Sequence, residues 1–126
     1  MRAAFAHDAV LDMGLDADLA APGGAVTLAL CGAFAHPPPC PVAAHHTRAH
    51  RRGGGDPQDT LRVAVRVLFA AEPAAEGAVR ARIDGALAGG VCVGPDGTRT
   101  RWRLRSSAPG VVTEQEGPHA ARLAAD

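Results

Sequence analysis

Four of the chain's six histidines and one of its three cysteines fall between residues 36 and 50, in the run His36-Pro37-Pro38-Pro39-Cys40-Pro41 followed by His45, His46 and His50. Imidazole nitrogen and thiolate sulfur are the donors that suit a borderline ion such as Zn²⁺. Pro41 fits the first turn of a short helix. A helix over 41–51 places His46 and His50 four residues apart on one face, close enough to share an ion. His36 and Cys40 then complete a tetrahedral N/S set from the preceding loop, with His45 as alternate ligand. Zn²⁺ is expected first, with copper and iron behind it. The spacing matches no standard zinc finger. There is no C-x-x-C, and His46 lacks the following Glu of an H-E-x-x-H metalloprotease helix. The plainer alternative is a solvated polar loop.

Cys40 offers a second chemistry. At the N-cap of that expected helix it feels the positive end of the dipole, and a nearby protonated histidine favours its thiolate further. His45 or His36 then serves as base, and Cys31 as resolving partner. No Asp or Asn stands beside these histidines to orient them. Cys40 is thus the catalytic residue only if the protein is a thiol enzyme or redox protein, and no firm catalytic set follows.

The arginines are the third candidate. The chain has no Lys, and its 13 cations balance 13 carboxylates, which argues against a wholly basic nucleic-acid binder. Arg62 and Arg66 share a face with Arg99, Arg101, Arg103 and Arg105 if their strands join one sheet. Trp102 alternates with the last four and points to the opposite, core side, leaving the basic face without a stacking aromatic. Asp8 and Asp12 are its natural counterions. A nucleic-acid partner is not expected. His7 reads as a structural or surface residue and an outside choice for a fourth ligand. His119 reads as a surface residue, and Cys92 as a small buried hydrophobe.

These residues need a scaffold. At 126 residues one domain is expected, with 35–60 a long His/Cys/Pro/Gly-rich loop and 111–126 a tail. Aromatics are only 3%, so the core is built from Ala, Val and Leu and buries little area per residue; a metal or a dimer interface adds useful stability. Alternation predicts strands over 5–13, 25–34 and 61–70. A stripe at Ala75, Val79, Ile83 and Leu87 predicts a helix over 73–88, with the i,i+4 pairs Glu76–Arg80 and Arg80–Asp84 on its wet side. Gly94-Pro95-Asp96-Gly97 turns a hairpin between Val91–Val93 and the strand from Thr98. Thr113 and Glu116 have capping-box spacing ahead of a weak helix over 120–125.

The order is α+β: a two-layer sandwich of a mainly antiparallel sheet of four or five strands, one principal helix and a weak C-terminal helix. It resembles ferredoxin-like α+β domains, except that no helix is expected between the first two strands. That fold carries many functions and implies none. No signal peptide or membrane-spanning stretch is read, and three cysteines make no secreted disulfide framework. A cytoplasmic protein with reduced thiols is expected. Self-association is allowed, and no small-molecule ligand is indicated. The functional expectation is a small protein that binds a transition metal in a structural or regulatory role. The alternatives are a thiol enzyme or redox protein using Cys40, and a non-catalytic dimerisation module.

Overall fold

Apolar side chains at every second position from Leu61 to Phe69 call for a strand. The computed structural model, which describes residues 1–32, 42–54 and 60–125, has β3 there, over Thr60–Ala71. Its neighbours are β1 (Ala3–Gly14) on one side and β2 (Ala44–Gly54) on the other, both antiparallel to it. β5 (Arg99–Gly110) pairs with the far edge of β1, and the short β4 (Val91–Val93) pairs with β5. The sheet order is β2-β3-β1-β5-β4. Among the described residues, α1 (Ala21–Cys31) and α2 (Glu76–Gly89) lie between strands, and α3 (Gly117–Ala125) follows β5. The α+β class and the antiparallel sheet are as expected.

Two expectations are corrected. The segment expected as a strand over Ala25–Phe34 is helical as far as Cys31. Pro22 sits in its first turn, and Gly32, at φ +79°, closes it in the left-handed conformation with its N–H on Leu28 O at 3.0 Å. Burial selects Pro22, Val26 and Leu30 at spacing four, while Leu28 is exposed. The helix that the ferredoxin-like order requires between its first two strands is therefore present, and β1-α1-β2 and β3-α2-β5 interleave as two β-α-β units. Conversely, the expected 41–51 helix does not form, because residues 44–54 are the edge strand β2. The long 35–60 loop is divided by that strand.

The main core lies between the sheet and the pair α1, α2. Leu11, Met13, Val63, Val65, Val67 and Phe69 meet Val26, Leu30, Val79, Ile83 and Leu87 there. The expected α2 stripe is the buried one. Trp102 enters from β5, and its indole N–H donates to Leu87 O at 2.8 Å, satisfying a carbonyl at the end of α2. Gly90 follows at φ +70°, where a Cβ would meet Trp102 O at 2.7 Å. We expect Trp102→Phe to cost about 1–2 kcal/mol by losing this buried bond, read as a lower urea midpoint at unchanged slope.

The opposite face of the sheet holds a smaller cluster in which Ala120 of α3 packs on Ala6 and Leu68. The expected capping box is made in full: Glu116 N–H reaches Thr113 Oγ1 at 3.3 Å, and Thr113 N–H reaches Glu116 Oε1 at 3.0 Å.

Candidate functional site

One stripe of α1 is laid against β2. Gly23, Thr27 and Cys31 recur at spacing four, and the inward residues of β2 facing them are His45 and Thr47. The approach is close: a Cβ on Gly23 would lie 3.3 Å from Thr47 Cβ and Cγ2. Past the end of α1, Val42 N–H bonds Leu30 O at 3.0 Å, tying the entry to β2 against the helix terminus. Cys31 and His45 are brought together by these constraints.

The His45 ring is held at both nitrogens. Nδ1 lies 3.1 Å from Ala43 O and 3.7 Å from Cys31 Sγ, and Nε2 lies 3.1 Å from Thr27 Oγ1. A carbonyl only accepts, so Nδ1 carries the hydrogen in this arrangement and Nε2 accepts from the Thr27 hydroxyl. The hydroxyl can also accept, so Nε2 keeps a partner when Nδ1 gives up its hydrogen, at the cost of the bond to Ala43 O. A cleft of about 460 Å³, lined among others by Gly23, Thr27, His45 and Thr47, leads to the ring. Cys31 is 4% exposed and disulfide-bonded. The reduced state expected for all three thiols therefore holds for Cys92, which is free and buried, but not for Cys31. Burial, with the negative charge of Asp18, pushes the Cys92 thiol up and keeps it protonated.

The other expected site residues are distributed differently. His36 and Cys40 lie outside the described residues. His46 and His50 are on the outer face of β2, opposite Leu68 and Ala64. Four residues of strand separate them by about 13 Å, too far to share an ion. His45 points to the other face, so it cannot substitute for either. The N-cap placement that was to favour a Cys40 thiolate fails with the 41–51 helix. Among the described residues no three of His, Cys, Asp or Glu converge as a metal site requires.

His7 is 2% exposed and fully engaged. Its Nδ1 is 3.0 Å from Arg80 Nη1, and its Nε2 is 2.9 Å from Asp84 Oδ1 and 2.8 Å from Ser107 Oγ. Arginine can only donate, so Nδ1 accepts and Nε2 carries the proton. A protonated Nε2 cannot take a proton from Ser107, so this Ser/His/Asp grouping is not a hydrolytic triad. It is a satisfied polar cluster at the core's edge, and His7 has no lone pair left for a metal. Arg80 turns to Glu76, Ala6 O and His7 instead of making the expected pair with Asp84.

The arginine strands do share a sheet, and the aspartates neutralise part of it. Arg62 and Arg105 flank Asp12 at 3.2 and 3.5 Å. Arg66 holds Asp8 through two bonds of 2.9 and 3.0 Å and Glu116 through bonds of 2.9 and 2.7 Å. The Arg66 guanidinium keeps the Glu116 carboxyl at about 2, below its ordinary 4.5. A carboxyl lowered by folding stabilises the fold above its unfolded pKa and loses that contribution as pH falls from about 4.5 through 2. We expect Glu116→Gln to cost about 2 kcal/mol at neutral pH and to flatten the acid limb of stability between those values, read by urea denaturation across a pH series.

Comparison with known proteins adds no relative: no family model, no curated protein and no solved structure matches the chain. No helix among the described residues is long and apolar enough to cross a membrane.

Proposed function

We propose that this chain is a small α+β protein that binds a transition metal, Zn²⁺ first, in a structural or regulatory role. Its sulfur and imidazole ligands come from the end of α1 and the start of β2. The observation that carries the proposal is the 3.7 Å between Cys31 Sγ and His45 Nδ1. Two ligands on one tetrahedral zinc, with Zn–S near 2.3 Å and Zn–N near 2.0 Å, stand about 3.5 Å apart. Thr27 is already placed to accept from Nε2–H once Nδ1 turns to the metal, the outer partner that a ligating imidazole needs. His36 and Cys40 are the remaining donors in this proposal. His46 and His50 leave the ligand set, and His45 moves from alternate to principal ligand.

Cys31 is disulfide-bonded, and its thiolate is available only after reduction. Two electrons and two protons from an external dithiol convert the disulfide to two thiols, whose protons the metal then displaces. The disulfide also favours a second reading, a thiol–disulfide redox protein. An incoming thiolate attacks the sulfur bonded to Cys31, the S–S bond breaks, and the electron pair leaves on Cys31 Sγ, stabilised by His45 Nδ1–H. The experiment that separates the two readings is elemental analysis of untagged protein, reduced and then reconstituted with zinc. The first reading expects about one more zinc per chain in the reduced form than in the oxidised form or in Cys31→Ser. If no form binds zinc while the disulfide exchanges rapidly with glutathione, the redox reading replaces it.

A further inference from the structure

The outer face of β2 carries a second pair of donors. His46 of β2 and His119 of α3 have ring centroids 4.8 Å apart and planes inclined by 59°. Both rings are held there by the fold. His46 is fixed by its pairing opposite Leu68. α3 is fixed by its capping box, by the two Arg66–Glu116 bonds and by Ala120, buried against Ala6 and Leu68. The steep inclination is unlike a flat stack, and two imidazoles on one tetrahedral ion have centroids about 5 Å apart. A cavity of about 290 Å³ beside the rings leaves space for an ion with its remaining water ligands. The cations facing it are Arg48 and Arg66, and Arg66 is neutralised by Glu116 and Asp8.

We propose that His46 and His119 form a two-imidazole site for a divalent transition ion, filled most tightly by Cu²⁺ and more weakly by Ni²⁺ or Zn²⁺. The ion completes its sphere with water and fastens α3 to the edge of the sheet. The site lies on the face of β2 opposite His45 and does not depend on the cysteines.

The test uses the full chain with its disulfide intact, which removes the thiolate donors from competition. It is titrated calorimetrically with Ni²⁺ at neutral pH. One ion per chain is expected, with affinity falling at least about tenfold in His46→Gln and in His119→Gln. His50→Gln, exposed on the same strand, serves as the unaffected control. Far-ultraviolet circular dichroism of each variant confirms that the fold is kept. No binding up to about 1 mM Ni²⁺, or equal binding by wild type and both variants, overturns the proposal.

Discussion

Arg66→Ala is expected to lower folding stability by about 3 kcal/mol, the low end for removing one partner of a largely buried charge pair. Arg66 is 19% exposed and joins three parts of the chain. It bonds Asp8 of β1 bidentately, Glu116 ahead of α3 through two nitrogens, and the Val111 carbonyl between β5 and α3. Without it, Glu116, whose side chain is 13% exposed, has among the described residues Arg48 at 3.5 Å as its remaining cation. The carboxylate must then protonate or draw α3 away from the sheet. The loss is therefore expected first in α3 and only then globally. Amide exchange should accelerate across 117–125 before it does in β3, and the urea midpoint should fall. Arg62→Ala is the matched comparison, because Asp12 still has Arg105 after the change. A loss in Arg66→Ala no larger than in Arg62→Ala would show that Arg66 is not the anchor of α3.

His45→Ala in the reduced protein is expected to weaken zinc binding by about 100-fold or more, since it removes a ligand rather than an outer partner. The oxidised, metal-free protein should lose much less. The hydrogen bonds of its half-buried His45 to Ala43 O and Thr27 Oγ1 are worth about 1 kcal/mol each. The two measurements separate a ligand from a merely structural histidine. Competition with a zinc-responsive dye gives the affinity, and urea denaturation of the oxidised form gives the stability. His50→Ala should leave both unchanged.

Much of the fold was legible because the physical signals were strong. β1 and β3 alternate, α2 carries a spacing-four stripe between a proline start and a glycine end, and the Thr113–Glu116 box announces α3. α1 was misread because its side chains are small. In APGGAVTLALC, Val26, Leu28 and Leu30 alternate as well as any strand, and Leu28 is the one left exposed. The counter-signals were present in Pro22 and Gly32, which bracket the helix, and in Val26 and Leu30 at helical spacing. β2 was hidden by composition. Histidine and arginine are weak strand formers, yet His45, Thr47 and Ala49 alternate with the exposed His46, Arg48 and His50.

The same two misreadings moved the candidate site. With β2 a strand, adjacent His45 and His46 face opposite sides and His50 is out of reach of either. With α1 a helix, Thr27 and Cys31 come onto the stripe that faces His45. Residue types pointed to the neighbourhood of the Cys31–His45 contact, since both residues flank the proline run. The pairing depends on a turn of helix meeting an edge strand, which no local spacing encodes. His119 was dismissed for a comparable reason: its neighbour lies 73 positions earlier in the chain.

X-ray absorption at the zinc edge, on the reduced chain loaded with one equivalent of zinc, tests the central claim most directly. A first shell mixing sulfur near 2.3 Å with nitrogen near 2.0 Å is expected, with the sulfur diminished in Cys31→Ser and the imidazole contribution diminished in His45→Ala. A shell of nitrogen and oxygen alone would contradict the account, because the metal would then sit away from Cys31.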